Sequence, residues 1–326
     1  SDYFSKFISN GVSTELCFAA FSLMTLIIVF AGVKNGIERV SKIMMPILVV
    51  LSCVITVYSV TRPGALEGVK YFLVPNFKNF SWMTVVTAMG QMFYSLSIAM
   101  GILITFGSYT EKEVSIENST ENVEVFDTAI AIMAGLMIIP AVFAFSNGNM
   151  ENLNAGPSLM FITIPKVFDS MGLGTLIGIL FFVLVLFAAL TSSIALTECA
   201  VSTFQDELGW SRHKSVIILG IIMLVLGSLS SLGYGPLASI QVIGMQFLDF
   251  FDFLTNSVMM PISAICICLL VSKVIGVDKI AKEVKSHNNP FKREKIFTFM
   301  IKYVCPIFAT IILLSSVANA FGIIKM

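Results

Sequence analysis

Residues 82–109 read WMTVVTAMGQMFYSLSIAMGILITFGSY, a long apolar segment with a polar centre. Both ends of the segment suit a helix that crosses a membrane. Residues 90–101, in its middle, instead carry two glycines, a glutamine, a tyrosine and two serines. This composition favours a helix that breaks at its centre. Inside a bilayer a broken backbone is tolerated only where protein shields the break or where the break lines a cavity.

Two explanations of this polar centre remain open from the segment alone. In the first, it is the break of a discontinuous helix, the device with which secondary transporters hold substrates and ions near the bilayer midplane. Carbonyls freed by the break and the hydroxyls of Ser95 and Ser97 would then suit a hard cation, and freed amides a carboxylate. In the second, the glycines permit a close helix crossing and the serines bond back to the backbone.

The composition of the whole chain predicts an all-α polytopic membrane protein. Of its 326 residues, 56% are hydrophobic and 12% are charged, whereas soluble domains carry about one quarter charged residues. Several apolar runs reach the ~20 residues that a helix needs to cross a hydrocarbon core of ~30 Å. We predict a multi-pass protein of the cell (inner) membrane with about eight spans, at residues 14–33, 43–61, 82–109, 125–146, 172–200, 215–231, 240–271 and 297–323.

The distribution of Lys and Arg between the loops predicts the orientation of these spans. Alternate loops, beginning with the first, contain Lys34, Arg39, Lys42, Lys112, Arg212, Lys214, Lys273, Lys279, Lys282, Lys285, Lys292, Arg293 and Lys295. The loops on the opposite side contain Arg62, Lys70, Lys78 and Lys166. Because basic loops stay in the cytoplasm, both termini of this chain are expected to be extracellular.

A second polar cluster lies deep in an apolar helix, where residues 187–195 read FAALTSSIA. The hydroxyls of Thr191 and Ser192 follow the carbonyl of Ala188 by three and four residues, so all three share one face of a helix. Such a face can bind Na⁺. From this segment alone, packing of small residues is the favoured explanation.

Among the carboxylates within or at the ends of predicted spans, where charge is costly and usually functional, we single out Asp127, Glu198, Asp249 and Asp252. Asp249 and Asp252 lie near an outer end, where they can reach the interface. Asp127 is alternatively a helix N-terminal residue favoured by the helix dipole. The chain has no motif of a hydrolase, metalloprotease or nucleotide-driven pump, and no basic patch with aromatics, so we predict neither an enzyme nor a nucleic-acid partner.

Several longer motifs resemble the neurotransmitter:sodium symporter family in its bacterial branch, over nearly the whole chain. They are GVKNGIERVSKIMMP (32–46), VPNF (74–77), GQMFYSLSIAMGILITFGSY (90–109), AGLMIIPAVFAF (134–145), GPSLMFITIPKVF (156–168), LFAALTSSIA (186–195) and DFFDFLT (249–255). The resemblance implies a leucine-transporter-type fold with inverted repeats.

The resemblance also implies how the chain is organised. Residues 1–326 would form a single transmembrane domain in which 14–81 supply the last two helices of the first repeat, 82–271 the second repeat and 297–323 an additional C-terminal helix. The first three helices of the family are absent from this sequence. They carry much of both sodium sites, so the chain is expected to be a fragment that needs them to complete its sites.

The resemblance further implies roles for individual residues. The implied substrate-binding residues are Tyr94, Ser95, Ser97, Met100, Ser192, Ser193 and Leu196. The implied sodium ligands are Ser95, Asp127, the carbonyl of Ala188, Thr191 and Ser192. The implied gate residues are Gln91, Tyr94 and Asp252.

The implied function is sodium-coupled symport of an amino acid by alternating access. Met100 and Leu196 favour an apolar or aromatic substrate side chain. Asp127 occupies a position where most family members have Asn, and its carboxylate is expected to make chloride unnecessary. Two alternatives remain: a membrane sensor or scaffold that keeps the transporter fold without transport, and an inactive partial product.

Overall fold

The computed structural model of the protein describes residues 2–146, 159–170, 172–286 and 290–322. Every regular element in these ranges is helical, which confirms the predicted fold class. The helices are α1 (Asp2–Ser9), α2 (Gly11–Phe30), α3 (Val33–Val60), α4 (Ala65–Leu73), α5 (Trp82–Ser95), α6 (Ile102–Ser108), α7 (Ile116–Ser146), α8 (Ile164–Asp169), α9 (Gly174–Leu208), α10 (Arg212–Leu232), α11 (Phe247–Ile275), α12 (Val277–Val284) and α13 (Glu294–Ala320), with short helical turns at Phe77–Asn79 and Leu159–Thr163.

Seven helices in the described part of the chain are long and apolar enough to cross a membrane: α2, α3, α7, α9, α10, α11 and α13. The remaining predicted span, 82–109, is present as the two shorter helices α5 and α6. The predicted set of about eight spans, one of them broken, is therefore confirmed.

Some helices extend beyond the predicted apolar windows. α3 begins at Val33 instead of 43, and its first turns, Val33–Glu38, are wound as a π-helix. α7 begins at Ile116 instead of 125, and α9 continues to Leu208 instead of 200. The added residues are polar, so hydropathy alone places the ends of these helices too close to the apolar centre.

Polar side chains fix where several helices begin. The side-chain oxygen of Asn10 accepts hydrogen bonds from the amides of Val12 and Ser13 at the start of α2. Ser81 and Thr84 form a reciprocal capping box at the start of α5. These contacts satisfy amides that have no partner within the helix, which stabilises each helix start by about 1 kcal/mol.

Contacts between Cα atoms divide the chain into two compact units. The first comprises Ser1–Lys78 and Thr128–Ser239, and the second comprises Asn79–Asp127 and Ile240–Met326. The core of the first unit gathers Ile55, Ile164, Phe168, Phe181 and neighbours from α3, α7, α8 and α9. The core of the second unit gathers Phe93, Met260, Ala264, Ala309 and Ile312. The prediction that 1–326 is a single domain remains a prediction.

Candidate functional site

The predicted break in the span 82–109 lies at residues 96–101, between α5 and α6. The amide of Leu96 still donates to the carbonyl of Met92 at 3.0 Å, as in a regular helix. The amide of Ile98 instead reaches back five residues to the carbonyl of Phe93 at 3.0 Å. The regular pattern resumes at Thr105, whose amide donates to the carbonyl of Gly101 at 2.9 Å. The helix is therefore interrupted for six residues, as its polar centre predicts.

The backbone within the break is strained. Ser97 and Ala99 have φ angles of 53° and 63°, and Gly101 has a φ of 80°. Only glycine adopts this left-handed region without a steric penalty, and a non-glycine residue there costs of order 1–3 kcal/mol. Such strain persists where the surrounding structure holds it in place, and it clusters at ligand sites and moving segments.

Two predicted sodium ligands lie in direct contact at the end of α5. The Ser95 hydroxyl donates a hydrogen bond of 2.6 Å to Oδ1 of Asp127 on α7, and both residues belong to the second unit. Asp127 lies well inside α7, which begins at Ile116, so its interpretation as a helix N-terminal residue is wrong.

The second predicted oxygen cluster is formed on α9, in the first unit. Oγ1 of Thr191 and Oγ of Ser192 both donate to the carbonyl of Ala188, at 3.1 and 3.0 Å. Thr191 also lies 2.9 Å from the carbonyl of Phe187. Three oxygens of the predicted set thus share one small volume. The same hydrogen bonds are the back-bonding that hydroxyl side chains make within helices, so the contacts suit both explanations of this cluster.

Ser193, the third hydroxyl of this run, contacts a neighbouring helix. Its Oγ lies 3.0 Å from Oγ1 of Thr25 on α2. Thr25 is fully buried. The hydroxyl of Ser193 therefore joins α9 to α2, which is a packing contact inside the first unit.

The remaining predicted residues lie at separate positions. Gln91 and Tyr94 are exposed on the last turns of α5, and Met100 is half-buried in the break. Leu196 is exposed on α9. Oδ1 of Asp252, on α11, accepts a hydrogen bond of 2.6 Å from the side chain of Asn256, one turn further along the same helix.

The structure adds a buried ion pair that the sequence does not predict as a pair. Glu198 on α9 is fully buried, and Arg212 donates to both of its carboxylate oxygens, at 3.0 and 2.6 Å. The same guanidinium donates to the carbonyl of Val29 at the end of α2, at 3.1 and 2.7 Å. The Arg212 side chain therefore connects the start of α10 to α9 and to the end of α2. The sequence signal for this pair is a carboxylate in one predicted span, Glu198, and an Arg just before the next span, Arg212.

A further carboxylate within a span, Glu15 on α2, is absent from the residues that the sequence singles out. Its Oε1 accepts a hydrogen bond from the hydroxyl of Ser228 on α10. The contact ties α2 to α10 within the first unit. A single acid in an apolar helix is the signal that could have identified it.

Comparison with known proteins finds a family model and relatives that match most of the chain. The family model described as "Sodium:neurotransmitter symporter family" matches residues 6–323. An uncharacterized sodium-dependent transporter of Bacillus subtilis, YhdH, is 33% identical over 323 residues, which cover 99% of this chain and 70% of that protein. An uncharacterized sodium-dependent transporter of Haemophilus influenzae is 32% identical over 298 residues, which cover 91% of this chain and 64% of that protein.

A solved structure has the same fold. The crystal structure of MhsT in complex with L-phenylalanine superimposes with a TM-score of 0.83 at 36% identity, covering 96% of this chain and 70% of that chain. The chain thus spans between 64% and 70% of the length of these three proteins.

Proposed function

Because this chain belongs to the sodium:neurotransmitter symporter family, we propose that it carries out sodium-coupled symport of an amino acid by alternating access, as part of the complete transporter. The observation that carries this proposal is the contact between Ser95 and Asp127 beside the break. A strained interruption next to a paired hydroxyl and carboxylate is an arrangement suited to binding an ion that is taken up and released.

The two oxygen sets fit a sodium ion chemically. Sodium is a hard cation that prefers oxygen ligands. Thr191 and Ser192 donate their protons to the Ala188 carbonyl, so their own lone pairs remain able to bind a cation. Ser95 likewise donates to Asp127 and keeps its acceptor capacity. We assign Ala188, Thr191 and Ser192 to one sodium site, and Ser95 and Asp127 to another.

The substrate of the proposed transport is an amino acid with an apolar or aromatic side chain. The similar protein MhsT was crystallised with L-phenylalanine. Met100, Leu196, Ser97, Ser192 and Ser193 remain the residues that we propose for contact with the substrate. Tyr94 would close over the bound substrate, with Gln91 and Asp252 at the outer gate.

The driving force in this proposal is the movement of sodium down its electrochemical gradient. One sodium ion that crosses an inward-negative potential of 100 mV gains about 2.3 kcal/mol from the voltage alone. This energy corresponds to roughly a fifty-fold accumulation of solute for each ion coupled. One or two sodium ions per substrate would therefore support uphill uptake.

The test is uptake by the full-length protein reconstituted in liposomes, against a panel of amino acids, with and without an inward sodium gradient. The expected result is uptake of apolar or aromatic amino acids that depends on sodium. Substrate binding without flux would instead indicate a sensor with a transporter fold. Flux that is unchanged when potassium replaces sodium would contradict the proposed coupling.

A further inference from the structure

A partly open apolar cavity lies within the second unit, on the side of the break where α11 and α13 pack. Its volume is about 290 Å³. The break supplies one wall, through Ser97, Ile98, Ala99 and Gly101. Helices α11 and α13 supply the facing walls, through residues that include Ala264, Cys268 and Cys305. All of these residues belong to the same compact unit.

The lining excludes an amino acid as the occupant of this cavity. Ser97 is the one hydroxyl-bearing residue among those that line it, and the lining contains no charged side chain. No lining side chain offers a charged partner to an ammonium or a carboxylate, and burial of an unpaired charge carries a large free-energy penalty. The occupant that this lining favours is neutral and apolar. The cavity shares only Ser97 with the substrate-binding residues proposed above.

The size and the rim of the cavity narrow the class of occupant further. A dry apolar cavity of about 150 Å³ binds benzene, and this cavity has roughly twice that volume. Its rim includes Met92, Leu103, Ile104 and Met300, which are apolar and exposed. Where this rim borders the bilayer, a molecule dissolved in the hydrocarbon can enter without crossing water.

We propose that this cavity binds a neutral lipophilic molecule about the size of naphthalene, taken up from the bilayer, and that the bound molecule holds the break in its present conformation. Four of the six residues of the break line the cavity, and two of them have strained positive φ angles. A ligand that fills the space beside them adds contacts that exist only in this conformation. By linkage, it stabilises that conformation against any other.

The binding claim is tested with naphthalene that carries a small diazirine, photolysed with the full-length protein in liposomes. Adducts on Ala264, Cys268 and Cys305 are expected to saturate with probe concentration, and to fall about tenfold under excess naphthalene. Ile262 and Ile307 lie on the same two helices, are exposed and do not line the cavity. Their adducts report bilayer partitioning and are expected to rise linearly without competition.

Filling the cavity provides the matched variants. Ala264→Phe places a ring where the ligand would lie, and the saturable adducts are expected to disappear. Ile262→Phe adds the same ring on the exposed face of α11 and is expected to leave them unchanged. Val304→Trp fills the cavity from α13 and replaces Ala264→Phe if that variant does not fold. Linear, uncompeted adducts at the cavity, or saturable adducts that persist in a folded filled variant, would overturn the binding site.

The effect on the break is tested by amide hydrogen exchange, which requires no transport activity. Naphthalene is expected to slow exchange of peptides that cover 96–104 severalfold in the parent and in Ile262→Phe. Peptides from α9 serve as the internal reference. Unchanged exchange at 96–104 in a protein whose cavity labelling saturates would overturn the claim that the ligand holds the break. Neither result depends on the proposed symport.

Discussion

Asp127 brings a carboxylate to the end of α5, where Ser95 donates a hydrogen bond of 2.6 Å to its Oδ1 atom. We propose that this carboxylate takes the place that a chloride ion would otherwise have at the sodium site. The identity of residue 127 is therefore expected to decide whether chloride is required.

The first prediction concerns Asp127→Asn in the full-length protein. The parent is expected to show sodium-driven uptake that is independent of chloride. Without chloride, the uptake rate of the variant is expected to be about tenfold lower than that of the parent, which corresponds to about 1.4 kcal/mol. Added chloride is expected to restore the rate. Uptake is measured in liposomes with gluconate or chloride. Glu113→Gln removes an exposed acid charge before α7 and serves as control. Chloride stimulation of the parent would remove the assignment.

The buried pair of Glu198 and Arg212 gives a second prediction, about stability. Arg212→Ala leaves the fully buried Glu198 carboxylate without its guanidinium, and also removes the donor to the carbonyl of Val29. Breaking a buried pair by removing one partner lowers the free energy of unfolding by about 3–5 kcal/mol. The measurement is a denaturant titration of the purified protein in detergent.

Lys214→Ala is the matched control, because it removes a cation from the same helix. The Lys214 ammonium lies 4.2 Å from the centre of the Trp210 ring, and its loss is expected to cost about 0.5–1 kcal/mol. The double variant Glu198→Met, Arg212→Met removes both charges and is expected to recover most of the stability. An Arg212→Ala protein as stable as the parent would show that the pair is not buried in this way.

At the scale of elements, the break in the span 82–109 follows from the sequence, but its position does so only in part. The glycines at 90 and 101 bracket the predicted break. Gly90 lies inside α5, and only Gly101 uses a positive φ. The strained residues Ser97 and Ala99 carry no sequence signal, because neither residue type favours the left-handed region. Tertiary packing therefore sets the position of the interruption.

This difference between the two glycines yields the third prediction. Gly101→Ala places a side chain at a φ of 80° and is expected to destabilise the protein by more than about 1 kcal/mol. Gly90→Ala is helical with no neighbouring atom within 4 Å of the added carbon, so it is expected to stabilise by roughly 0.8–1.0 kcal/mol. Denaturant titration compares both variants with the parent. Equal effects of the two substitutions would contradict the interruption at 96–101.

The start of α13 depends on a carboxylate from another helix. Glu117, buried in the first turn of α7, accepts the backbone amides of Lys292 and Arg293, each at 3.0 Å. Arg293 in turn donates to Glu124 at 2.9 Å and lies 3.3 Å from Glu121. The hydrogen bond to Glu124 raises the pKa of Arg293. The start of α13 is thus capped by Glu117 of α7 and not by a side chain adjacent to α13 in the sequence.

The fourth prediction is that Glu117→Ala frees the start of α13. Two amides lose their acceptor, which costs about 1–2 kcal/mol. Amide exchange in peptides covering 290–299 is expected to accelerate by roughly tenfold. Glu111→Ala, at an exposed position before α7, is expected to leave that exchange unchanged. Unaltered exchange in Glu117→Ala would mean that other groups cap this helix.

At the scale of the molecule, hydropathy and span length predict the helices, whereas contacts between distant residues are invisible to both. Ser95 and Asp127 lie on different helices, and in the sequence only the family resemblance predicts that they share a site. Glu198 and Arg212 are each visible as charges near span ends, but periodicity gives no reason to pair them. The ends of α3 and α7 are polar, so the apolar windows that locate spans stop short of them.

The distribution of basic residues between the loops predicts the orientation of the protein in the membrane, and this prediction can be tested directly. Five predicted spans separate Lys70 from Lys279: the broken span and then α7, α9, α10 and α11. An odd number of crossings predicts that the two lysines lie on opposite sides. Because the segment around Lys279 is rich in Lys, it is expected in the cytoplasm and Lys70 outside.

The fifth prediction tests this assignment with single cysteines in a full-length background whose native cysteines are replaced. Lys70 and Lys279 are both exposed, so cysteine at either position is accessible to a reagent on its own side. A membrane-impermeant maleimide added to intact cells is expected to label Lys70→Cys and to leave Lys279→Cys unlabelled until the cells are permeabilised. The reverse pattern would place the basic loops outside. It would also invert the direction in which the proposed symporter faces its sodium gradient.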